Sequence, residues 1–587
     1  MPSWNRPVLI VLFGALATLA VATAPTPLWD EDEARFAAIA RTMVETGDWV
    51  VPMFNGDLAV DKPVLMHWCM AACMKVFGIN EFAARLPSVI ATLLTALALF
   101  RAGRRWFDDT TGVVAALAYV GCLLVSIEAH AATPDAILTA LTAWATLLVA
   151  EAVMPGPDGR LRTCSLATAA TAGLLLGLAI VCKGPIGFVG PLAVLGPWVW
   201  CLAMRARATR RGTAGSGIRQ LAGEAIPAAF DTLWCLRPLT LTLAALAAAA
   251  PWYVAVTLRT DGAWTSGFFF VHNVGRFMAP MEKHSGGALF HPLTMLVGFY
   301  PWSCFLPFAL VIAVWRLAKG TISGVTAAVT LLTLVWLAVW VGGFSAAATK
   351  LPNYVLPAYP AAAFLVAIIA VDAARKAATG QWPHPRWMAT GLASLAFGGV
   401  ATAVTVIVAT RFGIPGAEAA AAVGIVPLVG TAACWMLATR RPLEAVAAFT
   451  VTGLVYAALA VGPAQTRLAA ANTLPGFVED VQRGRESARL GTYLVSSPNV
   501  VFYARHAVMR LGDGSVAAVA DFFRSAPDTL LLIPEDSFAA IESALPPGFG
   551  IVGRTRPVFR PHDLLAVGRL TETTPRTATL DDEEPRR

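Results

Sequence analysis

Thirteen stretches of this 587-residue chain are apolar over lengths that cross a bilayer, and nothing else in the sequence limits its fold as strongly. A helix needs roughly 17–25 such residues to traverse a hydrocarbon core of about 30 Å. The bilayer interior admits only helices or closed barrels, because every backbone polar group there must be satisfied within the protein. The runs lie at about 7–24, 84–101, 111–129, 135–153, 165–182, 185–204, 239–257, 290–314, 325–343, 354–371, 388–410, 417–438 and 443–462. Hydrophobic residues make up 57% of the chain and charged residues 14%, against about 25% charge in a soluble domain. That leaves too little polar surface for a water-soluble globule, and the same figures exclude disordered, collagen-like and disulfide-stapled secreted chains. The expected fold class is mainly α, a polytopic membrane protein of about 13 transmembrane helices.

An odd number of spans places the termini on opposite sides. With the N-terminus in the cytoplasm, nineteen Lys and Arg fall on cytoplasmic segments and eleven on the opposite face short of the C-terminal tail, the bias of the positive-inside rule. The net charge of +7 is therefore read as orientation, and no nucleic-acid partner is expected. The first run ends in Ala22-Thr23-Ala24, which is similar to a signal-peptidase site. Its apolar stretch is longer than the usual 7–15 residues of a signal peptide, and Pro25 follows, so it is read as an uncleaved anchor. None of the nine cysteines falls in the last 125 residues, and none has zinc-site spacing. Cys69 and Cys73 are read as packing residues.

Residues 1–462 thus form the membrane domain, with 25–67 as its first outer loop. Residues 463–570 read as a small α/β domain outside the cytoplasm. Its expected strands are Leu490–Ser496, Val500–Tyr503, Thr529–Ile533 and Leu564–Leu570, and its expected helices Ala517–Arg524 and Asp536–Leu545. The polar stretch 571–587 is expected to be a disordered tail.

The first outer loop runs against the global charge, holding eight of the 37 acids: Asp30, Glu31, Asp32, Glu33, Glu45, Asp48, Asp57 and Asp61. Asp30 followed by Glu33 has capping-box spacing. The helix it opens carries Phe36, Ile39, Ala40 and Met43 as an apolar stripe, with Arg41 and Glu45 opposite and Arg35 at the flank. Such a helix belongs in the interface plane. Asp32 falls in its first turn, where the helix dipole favours an anion. Read alone, these acids only cap a helix. Asp30-Glu31-Asp32 also spells a D-x-D, but nucleotide sugars are not found outside the cytoplasm. Next comes Asp61-Lys62-Pro63 at the start of a second helix, Val64–Phe77, whose N-terminus would hold Lys62 where a phosphate fits. Further along the same face lie Glu128, His130, Thr133 and Asp135, then Lys183-Gly184-Pro185 between two spans. His272 and Arg276 follow in one outer loop, with His284, and Lys350 and Tyr354 before the tenth span. Charges at such depth are costly and are kept when paired or functional. One at a time each reads as a span-end anchor; together they form a polar patch on the face away from the cytoplasm.

These residues, in this order, resemble the membrane-embedded GT-C glycosyltransferases, in the bacterial branch that contains the lipid A aminoarabinose transferase and the distant protein O-mannosyltransferases. The resemblance rests on Asp32-Glu33-Ala34-Arg35-Phe36, Gly47-Asp48-Trp49, Asn55-Gly56, Lys62-Pro63, Glu81-Phe82-Ala83-Ala84-Arg85-Leu86-Pro87, Thr133-Pro134-Asp135, Lys183-Gly184-Pro185, Pro301-Trp302-Ser303 and Lys350-Leu351-Pro352-Asn353-Tyr354. It implies transfer of a sugar from a polyprenyl phosphate donor to an envelope lipid, glycan or protein on the periplasmic face of the bacterial inner membrane. On that basis Asp32 and Asp135 are the expected catalytic acids. Lys62, Lys183, Arg35 and Arg276 are expected at the donor phosphate, and Lys350, Tyr354 and Glu33 at the substrate. No cofactor is required, although a divalent metal on Asp61 and His272 stays open. The family's aromatics and Glu before Lys-Pro are replaced by Ala59-Val60-Asp61, which weakens the assignment of aminoarabinose as the sugar or lipid A as the acceptor. A transporter or flippase for a polyprenyl-linked sugar is the alternative, but it would show repeated halves and acids at mid-span, and neither is found. A scaffold would leave the acidic loop unexplained.

Overall fold

A computed structural model describes residues 5–21, 26–29, 32–156, 159–211, 223–275, 286–381, 385–411, 418–469, 472–485, 487–495, 498–504, 507–512, 515–556 and 562–570. Most of the chain is helical. The first helix, α1 (Asn5–Val21), leads to α2 (Asp32–Thr46), a two-stranded hairpin of β1 (Met53–Phe54) and β2 (Asp57–Leu58), and α3 (Leu65–Phe77). Asn55 and Gly56 connect the two strands, both at positive φ (53° and 89°), the Asn-Gly chemistry of a tight two-residue hairpin turn. The bundle continues with α4 (Glu81–Trp106), α5 (Asp109–Val120), α6 (Leu123–Ala129), α7 (Asp135–Val153), α8 (Leu166–Lys183), α9 (Ile186–Arg210), α10 (Ala225–Leu236) and α11 (Pro238–Arg259). Its second half comprises α12 (Phe290–Gly298), α13 (Leu306–Ala318), α14 (Gly324–Ala346), α15 (Tyr359–Ala378), α16 (Pro385–Arg411), α17 (Ile425–Ala438) and α18 (Pro442–Leu459).

Among the described residues, ten helices are long and apolar enough to cross a membrane, or eleven if α5 and α6, bent by 67° at their break, count as one span. Each of the thirteen apolar runs is helical. The first and eighth are built from shorter pieces, α1 and the α12–α13 pair, so length alone does not establish a count of thirteen. Small residues bring the helices close. An added Cβ at Gly173 or Gly177 of α8 would lie 2.5 or 2.4 Å from the Leu241 or Ala245 carbonyl of α11, the small-xxx-small contact by which membrane helices pack.

The helical run of α18 continues through Ala460–Ala464 to Ala469. Beyond it lies a five-stranded sheet with α19 (Leu474–Gln482), α20 (Pro498–Ala504), α21 (Val516–Arg524) and α22 (Glu535–Ile541) around it. Strand order is β4 (Met509–Leu511), β3 (Arg489–Tyr493), β5 (Thr529–Pro534), β7 (Leu564–Arg569), β6 (Phe549–Thr555), parallel on the β4-β3-β5 side and antiparallel on the other. Val500–Tyr503, expected as a strand, is helical. Its β-forming residues lie in α20, and their side chains are buried against α2 and α19; tertiary packing overrides intrinsic strand preference. The sequence reading also missed β4, β6 and α19. The tail 571–587 falls outside the described residues.

Two apolar cores matter for the site. One fills the bundle. The other joins α2, α3 and the facing ends of α4, α7 and α8 to the underside of the C-terminal sheet through Val478, Leu490, Val500 and Phe502. For that reason α2 is buried on nearly every side, and Arg41, expected in water, is 6% exposed and donates to the Phe502 carbonyl at 2.8 Å.

Candidate active site

The polar residues of the first loop converge where α2 begins, at one end of the bundle. Asp32 is the first residue of α2 and is reached by solvent. Burial among protein atoms nevertheless holds its carboxyl above the ordinary carboxylate range. Lys62 opposes that rise, Asp61 and Asp135 reinforce it, and Lys183 again opposes it. The helix dipole does not decide the matter, contrary to the sequence expectation; desolvation and two flanking acids outweigh it. Three separate segments therefore supply the charges felt at one carboxylate.

Each of the other two acids in this group has a cation of its own. The Asp61 carboxylate pairs with Arg35 at 3.3 Å. Burial alone would raise its pKa, but Lys62 and Arg35 outweigh burial and hold it low. Lys62 donates to the Asp61 carbonyl at 3.3 Å and lies 6.0 Å from the Phe36 ring. Arg35 also sits 4.9 Å from the Phe54 ring of the hairpin. Asp135, the first residue of α7 and 2% exposed, accepts from Lys183 at the C-terminus of α8 and from Asn353 Nδ2 at 3.2 Å. The Lys183 ammonium is 5.0 Å from the Tyr354 ring. So Asp135, Lys183 and Tyr354, which the sequence reading assigned to separate roles, come together, joined by Asn353, which that reading quoted but gave no role.

Two expected substrate residues serve the fold instead. Glu33 is 4% exposed. Its Oε1 accepts from Arg85 Nε at 3.1 Å and from the Ala132 N–H at 2.7 Å, and its Oε2 accepts from Arg85 Nη2 at 2.8 Å and from the Trp29 N–H at 2.9 Å. The remaining Arg85 donors bind the Thr26 carbonyl and hydroxyl and the Pro27 carbonyl. No lone pair of Glu33 faces open space. The Trp29 bond spans four residues, one more than the capping-box spacing read from Asp30 and Glu33; Asp30 and Glu31 lie outside the described residues. Lys350, 5% exposed, donates to the carbonyls of Phe344, Ser345 and Ala347 at 3.1, 2.6 and 2.6 Å. It caps the C-terminus of α14, where a cation complements unpaired carbonyls.

Arg276 and His284 lie outside the described residues. His272 falls on a wide helical turn, Gly267–Gly275. Among the described residues no group of three His, Cys, Asp or Glu side chains stands ready for a metal. Asp61, drawn to Arg35 and Lys62, is a poor second ligand, so the residues present do not fit the metal site that Asp61 and His272 suggested. His67 of α3 lies behind Asp61; burial holds its pKa down to about 4, against the pull of Asp61, and it stays neutral. Glu128, buried, accepts from the Thr133 hydroxyl at 2.8 Å beside the Asp135 turn.

The C-terminal domain is pinned to this loop. Asn55 makes two 2.8 Å hydrogen bonds with the backbone of Val508, one through each amide atom. The Tyr503 hydroxyl accepts from the Leu28 N–H and donates to Glu81, both at 2.9 Å. None of these partners is close in sequence, and only the Asn-Gly turn gave a local sign.

Residues 61–214 match the family of dolichyl-phosphate-mannose-protein mannosyltransferases. The undecaprenyl phosphate-alpha-4-amino-4-deoxy-L-arabinose arabinosyl transferase of Aeromonas salmonicida is 30% identical over 410 residues, covering 70% of this chain and 66% of that protein. The enzyme of the same name from Pseudomonas aeruginosa strain LESB58 is 32% identical over 333 residues, covering 56% and 53%. The chain thus matches less than two thirds of the length of either relative. The crystal structure of ArnT from Cupriavidus metallidurans bound to undecaprenyl phosphate superposes with a TM-score of 0.75 at 19% identity, covering 97% of this chain and 99% of that one, which establishes a shared fold. The ordered motifs, the match over residues 61–214 and this architecture together give the chain a GT-C fold like that of ArnT and make it similar in sequence to the bacterial aminoarabinose transferases.

Proposed function

We propose that this chain is an integral-membrane glycosyltransferase that moves a sugar from a polyprenyl phosphate donor to an envelope acceptor, with lipid A the first candidate, on the periplasmic face of the inner membrane. The N-terminus is then cytoplasmic and the C-terminal domain periplasmic, in line with the positive-inside count. The observation that carries the reading is the convergence of Asp32, Lys62, Asp61, Asp135 and Lys183 at one end of a membrane bundle. In the proposed reaction Asp32 takes the proton of the acceptor as its oxygen attacks the anomeric carbon, and the bond to the donor phosphate oxygen breaks. Lys62, with Lys183 and Arg35 nearby, offsets the charge left on the lipid phosphate. Asp135 and Tyr354 shape the wall behind it. The relatives named for undecaprenyl-linked aminoarabinose support the donor class.

The test is transfer by purified protein in proteoliposomes supplied with undecaprenyl-phosphate sugar and lipid A. Asp32→Asn is expected to lower the transfer rate by 10²–10⁴, the usual weight of a general base, with donor binding retained. Transfer within threefold of wild type refutes the role of Asp32.

A further inference from the structure

At the opposite end of the bundle, far along the chain from the residues just described, α13, α15, α16, α17 and α18 line a half-open pocket of about 180 Å³. Aromatic contacts hold its walls. Trp302 and Phe305 each meet Phe449 edge-on at 4.7 and 5.1 Å, and Phe308 stacks on Trp387 at 5.4 Å. One charged side chain, Arg316, is among the residues lining it. An apolar wall of this kind, open on one side within a membrane, favours hydrocarbon over water.

Its depth also has a meaning. From Phe305 to Arg316 along α13 the helical rise gives about 16 Å, close to the single-leaflet half of a hydrocarbon core of about 30 Å. At the mouth two cations share one acid: Arg316 and Lys376 pair with Asp372 at 2.7 and 2.8 Å. The helix ends around that mouth carry Arg316, Lys319, Arg375, Lys376, Arg386, Arg440 and Arg441 against Asp372, Glu444 and Asp108, which pairs with Arg375 at 2.8 Å. Basic pockets between membrane helices on the cytoplasmic side are where anionic headgroups bind.

We propose that this pocket seats one acyl chain of an anionic glycerophospholipid from the leaflet at the Arg316 end, with the lipid phosphate at Arg316. The lipid fills the seam between the second-half helices. It takes no part in sugar transfer. The orientation proposed above only says which leaflet supplies it, and binding stands or falls independently of the activity.

The full-length protein is released from nanodiscs of equal phosphatidylglycerol and phosphatidylcholine with matched acyl chains, and retained lipid is counted by native mass spectrometry. The expected result is one tightly held phosphatidylglycerol, at least fivefold over phosphatidylcholine, since one basic residue near an anionic headgroup is worth about that factor. Ala373→Trp, which fills the pocket from its edge, should abolish that retention, and Arg316→Gln should remove the preference while the protein stays monodisperse. If Ala373→Trp does not fold, Arg316→Gln alone decides. Equal retention of the two lipids by the wild type overturns the proposal, as does retention unchanged in Ala373→Trp. Recovery of a polyprenyl phosphate in place of phosphatidylglycerol overturns it too, by assigning the pocket to the donor.

Discussion

Replacing Glu33 by Gln changes one atom, and the structure makes that change severe. Both carboxylate oxygens are surrounded by donors alone: Arg85 Nε and the Ala132 N–H at one, Arg85 Nη2 and the Trp29 N–H at the other. Whichever way a glutamine amide is turned, its NH₂ meets two N–H groups and no acceptor, so two bonds are lost and two donors clash. At the same time the Arg85 guanidinium, whose side chain is 9% exposed, loses its counter-charge. Removing one partner of a buried ion pair costs about 3–5 kcal/mol, and Glu33→Gln should fall in the lower part of that range, with Glu33→Ala in the upper part. The measurement is unfolding of the detergent-solubilised protein, with Glu33→Leu, Arg85→Met and the Glu33→Leu/Arg85→Met double variant forming a cycle. The double variant is expected to recover at least ~2 kcal/mol of the summed single losses, because each single change strands the other charge. Glu33→Gln within ~1 kcal/mol of wild type, with transfer lost, would refute this account and return Glu33 to the substrate.

Lys350→Met should act on stability in the same way, costing about 1–3 kcal/mol as three carbonyls at the end of α14 lose their donor, while donor affinity stays within twofold; a tenfold loss of affinity with unchanged melting contradicts it. Lys62→Ala is expected to weaken binding of undecaprenyl phosphate by about tenfold, near 1.4 kcal/mol for one charge-assisted contact, as read by native mass spectrometry, and unchanged affinity counts against a phosphate role. For Asp32 the sign is set by its raised pKa. A base must be ionised, so the rate should fall as pH drops through that elevated value. The raised pKa also means that the ionised side chain destabilises the fold above it, so Asp32→Asn should melt no lower than wild type at pH 8, and lower melting there would contradict the burial argument. Asn55→Ala removes both bonds to Val508 and should loosen the C-terminal domain by about 1–3 kcal/mol, seen as faster proteolysis; an unchanged cleavage rate removes Asn55 as a latch.

The spans were legible because the bilayer imposes length and polarity at once, whereas Asp32, Lys62, Asp135, Lys183 and Tyr354 became candidates through the resemblance of their ordered motifs, each reading as an anchor or cap when taken alone. What stayed hidden was pairing. Glu33 and Asp32 are neighbours with the same chemistry, and only the position of Arg85, 52 residues on, separates a fold-holding carboxylate from a solvent-facing one. Lys350 looks like a loop cation until the end of α14 is seen beneath it. Arg41 reads as solvent-facing by periodicity, since nothing in the first loop announces that a domain some 450 residues later covers it. Val500–Tyr503 has strand composition and becomes a helix for the same reason. In each case the deciding partner is remote in sequence.

The same pairing distinguishes the three acids at the site. Asp135 is buried and hydrogen-bonded to Lys183 and Asn353, from two other chain segments. Each of its carboxylate oxygens thus already accepts a bond before any substrate arrives. Asp61 is held by Arg35. Asp32 alone of the three makes no ion pair among the described residues, is reached by solvent, and carries a pKa displaced toward the working range of a base. Efficient proton acceptance needs both an available lone pair and a pKa near the operating pH. The geometry therefore favours Asp32 for the proton and gives Asp135 the work of fixing Lys183 and Tyr354. An Asp135→Asn variant that lost donor affinity while its residual transfer kept the wild-type pH profile would follow from this division; one that kept its affinity and lost the acidic limb of that profile would reverse it.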